Sequence, residues 1–169
     1  MQKEISKIFI AQYRGIGPLS MGIEFFTRSK WSHSAIVIKY DDDDDGAFIL
    51  YEAWGFKGVV KIEGHTLHEV LSKNHRPITM VDLYTIDLCY PRIDFLDKQV
   101  GKKYDWSLIN KFVTRRPAME NDKWICSELV GEFCNRSGNP LQHMPTWKMA
   151  PEHVGISPVL EPHSVVRTI

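Results

Sequence analysis

Cys126 lies at the start of a stretch, residues 121–139, whose pattern predicts an amphipathic helix. The apolar residues of this stretch recur at helical spacing and predict one buried face: Cys126, Leu129, Val130, Phe133 and Cys134. Asn121 or Asp122 is the expected N-cap, Gly138 the left-handed C-terminal residue, and Pro140 the stop. A thiol near the positive end of a helix has its thiolate stabilised. On this pattern alone, Cys126 is either a nucleophile or a small apolar residue of the buried face.

A thiol nucleophile needs a base, and the base needs a group that orients it. His33 precedes an apolar run at residues 35–40 that is typical of a central strand, and Glu52 lies in the next predicted strand, residues 47–54. Side chains of adjacent antiparallel strands lie ~5 Å apart, so the carboxylate can reach the imidazole. An unpaired carboxylate among the large apolar neighbours of Glu52 would be costly. The alternatives are a strand-end histidine with no chemical role, and a structural pair between Glu52 and an arginine.

Composition excludes several classes of function. Lys plus Arg and Asp plus Glu each total 21, so the formal charge is zero and no nucleic-acid partner is indicated. Three cysteines without CxxC spacing argue against a disulfide framework or a structural zinc site. The N-terminal sequence lacks a signal-peptide pattern, and no apolar run reaches the ~18 residues that a transmembrane helix requires. We therefore expect a soluble, cytoplasmic protein without a transmembrane segment.

Periodicity along the chain predicts an α+β protein with one domain over residues 1–169, because strands come first and helices follow. Strands are predicted at residues 7–13, 35–40, 47–54, 59–62, from 77 onward and within 157–169. Helices are predicted from residue 20 and at residues 66–73, 91–100 and 121–139, with an amphipathic segment at 107–113 and a polar loop at 114–120. No repeat or low-complexity linker indicates a domain boundary.

No metal or cofactor is predicted. The acidic run Asp41 to Asp45 lacks the alternating ligands and the twelfth-position glutamate of an EF-hand loop, so it predicts a hairpin tip more than a calcium site. His65, His68 and His75 do not share the i, i+4 face of a zinc helix and are expected to face solvent. The same surface or loop location is expected for three later histidines, His143, His153 and His163.

Four segments together resemble a known family: WSHSAIVI, YEAW, GKKYDW and WICSELV, in that order. The ordered set is similar to the circularly permuted NlpC-like cysteine peptidase and amidase families, a wider group that includes lecithin retinol acyltransferase. The resemblance spans residues 20 to 155 approximately. Within that span, residues 150–153 resemble a proline-plus-acidic motif that is common near the C-terminus of the family. It implies a permuted papain-like fold, with an antiparallel sheet or small barrel packed against helices. The histidine strand then precedes the cysteine helix.

The resemblance also assigns roles to individual residues. Cys126 matches the nucleophile of the family, His33 its base and Glu52 its polar third member. Tyr104 matches a tyrosine that can donate its hydroxyl to the developing oxyanion, and the backbone N–H of Cys126 would be a second donor. The implied activity is a thiol hydrolase that cleaves a peptide or acyl-amide bond through a thioester.

Three tryptophans, Trp31, Trp54 and Trp106, are predicted to line a substrate cleft, although large aromatic side chains also serve as core or rim. Expected substrates are peptides, acyl-amides or lipid-like molecules. Two alternatives stay open: a lipid-directed acyltransferase or thioesterase on the same three residues, and a non-catalytic protein that binds a ligand in the cleft. The chain lacks a recognisable wall-binding module, which argues against a peptidoglycan substrate.

Overall fold

The computed structural model describes residues 4–15, 18–41, 47–73, 78–107 and 122–166. The described strands are β1 (Glu4–Gly15), β2 (His33–Asp41), β3 (Phe48–Trp54), β4 (Gly58–Gly64), β5 (Ile78–Thr85) and β6 (Glu161–Val166). The described α-helices are α1 (Pro18–Thr27), α2 (Leu67–Ser72), α3 (Ile93–Gln99), α4 (Cys126–Arg136) and α5 (Pro151–Gly155). A single 3₁₀ turn, Thr146–Lys148, precedes α5.

The six strands form one sheet in the order β4-β3-β2-β1-β5-β6, and every neighbouring pair is antiparallel. The α+β prediction, with an antiparallel sheet and packed helices, is confirmed. Strand β2, whose residues from His33 to Ile38 are all buried, lies between β1 and β3 as expected for a central strand. Because the pairing of β2 with β3 aligns Ile36 with Tyr51, continuing that register places Glu52 opposite Ala35, diagonal to His33.

Side-chain alternation along the strands divides the core in two. On one face, Ile10 and Ile36 pack with helices α3, α4 and α5, whose largest contribution is the fully buried Phe133. On the other face, Tyr13, Ala35 and their neighbours pack with Val70 and Leu71 of α2. His33 begins β2 at the end of the sheet, so it lies within reach of residues on both sides.

Helix α4 begins later than the sequence predicted. Its N-cap is Ile125, which makes no side-chain capping hydrogen bond, and its first residue is Cys126. The expected cap at Asn121 or Asp122 is therefore wrong: Asn121 lies outside the described residues, and Asp122 pairs with Lys102. The physical reason is a parallel bridge between Tyr104 and Trp124, which keeps the chain before Cys126 extended. The other predicted features of the helix are confirmed, since its apolar face is buried and Gly138 has a φ of +84°.

The segment after α3 is fixed by strand β4. The N–H of Val59 donates to the carbonyl of Lys102 at 2.8 Å, and the N–H of Gly101 donates to the carbonyl of Val59 at 2.8 Å. Two backbone hydrogen bonds of Trp124 continue this arrangement: its N–H donates to the carbonyl of Lys103, and its carbonyl accepts from the N–H of Asp105. These backbone contacts hold the segment around Tyr104 between β4 and the start of α4.

Several predictions fall outside the described residues: most of the acidic run 41–45, the segment 108–113, the loop 114–120, His75, and the last residues of the C-terminal strand. Strands β1, β3, β4 and β5 and helices α1, α2 and α3 lie close to their predicted positions. No helix within the described ranges is long and apolar enough to cross a membrane.

Gly58 and Gly101 form a matched pair for testing how Tyr104 is held. Both have positive φ, +75° and +87°, but a Cβ on Gly58 would lie 2.1 Å from the carbonyl oxygen of Lys102, whereas a Cβ on Gly101 would meet nothing within 4 Å. We expect Gly101→Ala to lower the free energy of unfolding by about 1–2 kcal/mol, the cost of a left-handed residue. Gly58→Ala should lower the free energy of unfolding by clearly more, on the order of 3 kcal/mol, because the backbone at Lys102 must also move. Urea unfolding measures both, and equal losses would contradict the described contact.

Candidate functional site

His33 and Glu52 form a buried hydrogen-bonded pair. The Nε2 atom of His33 lies 2.7 Å from Oε2 of Glu52, and the Glu52 side chain has no exposed surface. The His33 side chain is 10% exposed. The sequence placed these residues on neighbouring strands, and the structure brings them together, although as a diagonal pair rather than a directly opposite one. A carboxylate at this depth is stable only with such a partner.

Cys126 is the first residue of α4, and its sulfur interacts with the same imidazole. The thiol is within hydrogen-bonding reach of His33, and it also lies next to the backbone N–H groups of Ser34 and Ser127. Because Nε2 of His33 is engaged with Glu52, Nδ1 is the ring nitrogen left for the sulfur. Cys126 is 4% exposed. The three predicted residues therefore form one continuous chain of contacts from carboxylate to sulfur.

The charges of Cys126, His33 and Glu52 shift the pKa values within this series of contacts. Burial by itself raises the pKa of the Cys126 thiol, but the His33 charge, its hydrogen bond and the two backbone N–H groups outweigh burial and lower it below its usual value. Burial likewise opposes protonation of His33, but Cys126 and Glu52 raise the pKa of the imidazole to about 10. The structure therefore favours a thiolate beside an imidazolium.

Tyr104 approaches the same sulfur from the segment before α4. Its hydroxyl is within hydrogen-bonding reach of Cys126, and its pKa is raised, first by burial and then by the Cys126 and Asp105 charges. A phenol with a raised pKa keeps its proton near neutral pH, so its hydroxyl is available as a hydrogen-bond donor. Asp105 is fully buried and accepts two hydrogen bonds from Ser107, which fixes the carboxylate beside the ring.

Aromatic rings enclose the imidazole on two sides. Tyr13, directly opposite His33 in the pairing of β1 with β2, has its ring centroid 5.4 Å from that of His33. Trp54 meets His33 edge-on at 5.5 Å and an interplanar angle of 90°. Trp106 is 41% exposed and packs against Tyr104 at 5.1 Å. Trp54 and Trp106 thus adjoin the site, and their role as substrate-cleft residues stays a prediction.

The structure places Trp31 elsewhere. Its side chain is 2% exposed, its Nε1 donates to Oδ2 of Asp82 at 2.6 Å, and its indole packs against Gly155 in α5. Asp82 also accepts from Arg14 at 2.6 Å. These contacts give Trp31 a structural role, and the cleft prediction finds no support in them. The position of Trp31 next to His33 in the sequence did not reveal this contact, because Asp82 lies 51 residues further along the chain, on β5.

The remaining cysteines and histidines differ from the site residues. Cys134 is fully buried, and burial raises the pKa of its thiol, whereas Cys89 is exposed. His65, His68, His143 and His163 are exposed as predicted, while His153 is half-buried and accepts a hydrogen bond from the N–H of Ala150 at 3.0 Å. No group of His, Cys, Asp or Glu within the part of the chain that the structure describes is arranged to hold a metal ion.

Two contributors were missed at the sequence level. Ser34 takes part through its backbone N–H, which any residue would supply, so no side-chain signal exists for it. Tyr13 is the second, and strand alternation with antiparallel pairing could have placed it beside His33 once the register was known. Ser127 has a supporting role, since its Oγ donates to the carbonyl of Met149 at 2.6 Å and anchors the first turn of α4.

The chain was also compared with known proteins. No protein-family model and no curated protein matches it. The geometry of the site is therefore the basis on which a function can be argued.

The lowered pKa of Cys126 predicts its reaction with iodoacetamide. In a Cys89→Ser background, which removes the exposed thiol, alkylation should be substantial at pH 6.5, where a cysteine of pKa ~8.5 is only roughly 1% thiolate. Peptide mapping by mass spectrometry measures the rate at each pH, and buried Cys134 serves as an internal reference. His33→Ala should shift the alkylation midpoint of Cys126 upward, because it removes the charge that opposes burial. A Cys126 profile that follows free cysteine in both proteins would contradict the ion pair.

Proposed function

We propose that this protein is a thiol hydrolase that cleaves an amide bond, in a peptide or an acyl-amide, through a thioester intermediate on Cys126. One observation carries the proposal: a fully buried carboxylate holds one nitrogen of an imidazole that also hydrogen-bonds a thiol of lowered pKa at a helix start. This is the arrangement that nucleophile, base and orienting group require. A histidine–carboxylate pair with only a structural role would not require a thiol at the second ring nitrogen.

In the first step, the Cys126 thiolate attacks the carbonyl carbon of the substrate, and a carbon–sulfur bond forms as the carbonyl oxygen takes the negative charge. The Tyr104 hydroxyl and the backbone N–H of Cys126 stabilise that oxyanion. Collapse of the intermediate breaks the carbon–nitrogen bond, and the His33 imidazolium gives its proton to the departing amine. The acyl group stays on the sulfur as a thioester.

In the second step, neutral His33 takes a proton from water, whose oxygen attacks the thioester carbon. The sulfur leaves as a thiolate beside the newly formed imidazolium, and the carboxylic acid is released. Glu52 keeps the ring in one orientation throughout and stabilises its charged form. An amine or alcohol that replaces water at the same intermediate would give acyl transfer instead.

The order of the elements supports a permuted papain-like architecture as part of the proposal. The histidine strand β2 and the carboxylate strand β3 precede the cysteine helix α4, and α4 packs on the sheet that contains both strands. This agrees with the family that the ordered sequence segments resemble. Fold alone does not determine chemistry, so the test must address the thioester.

The decisive experiment follows acylation and deacylation separately. The Cys89→Ser protein is treated with p-nitrophenyl acetate, nitrophenolate release is followed by absorbance, and the acetylated residue is mapped by mass spectrometry. We expect a burst of one equivalent, acetyl on Cys126, and its loss in water. A panel of N-acetyl-amino-acid p-nitroanilides then tests amide cleavage, which Cys126→Ala should abolish and Glu52→Gln should reduce by roughly a hundredfold or more. An acetyl group that remains on Cys126, or equal acetylation in His33→Ala, would refute the hydrolase.

Tyr104→Phe separates the oxyanion role from simple packing. Removal of the hydroxyl leaves the ring and its contact with Trp106, so KM for a cleaved p-nitroanilide should change little while kcat falls by about a hundredfold. The exposed Tyr90 provides the control, and Tyr90→Phe should leave both constants unchanged. Equal kcat values for Tyr104→Phe and wild type would remove Tyr104 from the mechanism.

A further inference from the structure

A groove of about 380 Å³ lies beside the site, and Tyr104 is one of its lining residues. Its walls are two aromatic side chains, Phe56 and Trp106, and three lysines, Lys57, Lys103 and Lys123. We call it the lysine groove. Gly55 and Gly58 form its floor at the β3–β4 turn, and a Cβ on Gly55 would lie 2.9 Å from the Trp106 ring. The lysine groove adjoins the site through Tyr104, which lines the groove and whose hydroxyl reaches Cys126.

The charged residues that line the lysine groove share one sign. Three of its lining residues carry a positive charge, and no aspartate or glutamate is among the described residues that line it. This contrasts with the whole chain, in which basic and acidic residues are equal in number. A cleft lined by one sign of charge raises the local concentration of the opposite sign. An anionic group on the substrate is therefore favoured here.

The aromatic pair indicates what else the substrate contains. Phe56 is 87% exposed and Trp106 is 41% exposed, and their ring centroids lie 5.5 Å apart. Exposed aromatic rings at the mouth of a cleft provide apolar contact area with little loss of side-chain entropy. A volume of about 380 Å³ is near the lower end for small-molecule sites. It suits a few amino-acid residues and is small for the two acyl chains of a phospholipid.

We propose that the lysine groove selects acidic peptides: amide substrates with a Glu or Asp side chain, or a terminal carboxylate, within a few residues of the bond that is cleaved. This inference rests on the proposed hydrolase for the position of the bond, but the binding preference can be measured without turnover. A lysine ammonium is a compact charge on a flexible stem and does not impose the fixed two-point geometry of an arginine on a carboxylate. The groove therefore tolerates variation in the position of the acidic residue. Electrostatic selection of this kind weakens as ionic strength rises.

The hydrolysis arm uses three pools of internally quenched octapeptides, randomised among Ala, Gly, Leu and Tyr, with one scanned position held as Glu, Gln or Lys. We expect the wild-type protein to cleave the Glu pool roughly tenfold faster than the Gln pool at low salt, since each exposed charge contributes modestly. Lys103→Glu should abolish the preference. Lys73→Glu, at the exposed end of α2, makes the same change in net charge and should leave the preference intact. Equal cleavage of all three pools would refute the lysine groove while leaving the hydrolase in place.

The binding arm uses Cys126→Ala protein, so that failure of the chemistry and failure of the groove can be distinguished. Quenching of tryptophan fluorescence by Ac-Glu-Ala-Tyr-NH₂ should saturate at a lower concentration than with the Gln counterpart, and Lys103→Glu should remove that difference. If no pool is hydrolysed but this difference in affinity is observed, the hydrolase proposal is wrong and the acidic-peptide proposal for the lysine groove is supported. Equal affinity for the two peptides, or selective binding to phosphatidylserine vesicles in place of the acidic peptide, would overturn the acidic-peptide proposal.

Discussion

The site depends on the burial of Glu52. A carboxylate with no exposed surface is unstable unless another group takes up its charge, and His33 does so at 2.7 Å. The imidazole is buried in turn, and its protonated form is stabilised by Glu52 on one side and Cys126 on the other. None of the three groups would be charged at this depth alone. The low solvent exposure that makes each charge costly also makes their mutual attraction strong, so the chain of contacts is stable only as a whole.

The sheet supplies this geometry through register. Tyr13 lies opposite His33 on β1, and the continued β2–β3 register sets Glu52 two residues from the position opposite His33. A slip of one residue in either pairing would turn Glu52 or Tyr13 to the other face of the sheet. The apolar runs of β1, β2 and β3 specify that register because both faces of the sheet are packed. The same hydrophobic pattern that folds the protein therefore positions the imidazole.

Local sequence patterns predicted what depends on periodicity and missed what depends on contacts between distant segments. The strands, the α+β class and the buried face of α4 follow from the spacing of residues such as Leu129 and Phe133. The start of α4 does not, since it is decided by the bridge between Tyr104 and Trp124, twenty residues apart in the chain. Trp31 was misplaced for the same reason, because Asp82 joins it from β5. The meeting of His33 with Cys126 was inferred from the resemblance to a family, and spacing alone left it undecided.

The residue at which α4 begins determines which backbone N–H groups are available to the Cys126 thiol. Had Asp or Ser occupied position 125, its side-chain oxygen would accept an N–H of the first turn, which stabilises a helix but places a competing acceptor beside the sulfur. Ile125 has no such oxygen, and it leaves the N–H of Ser127 to the thiol. The backbone N–H of Cys126 is likewise without a partner inside the helix, as at every helix start. A helix start without a side-chain cap is less stable, and here that loss leaves one amide donor for the Cys126 thiolate and, in the proposed mechanism, another for the oxyanion.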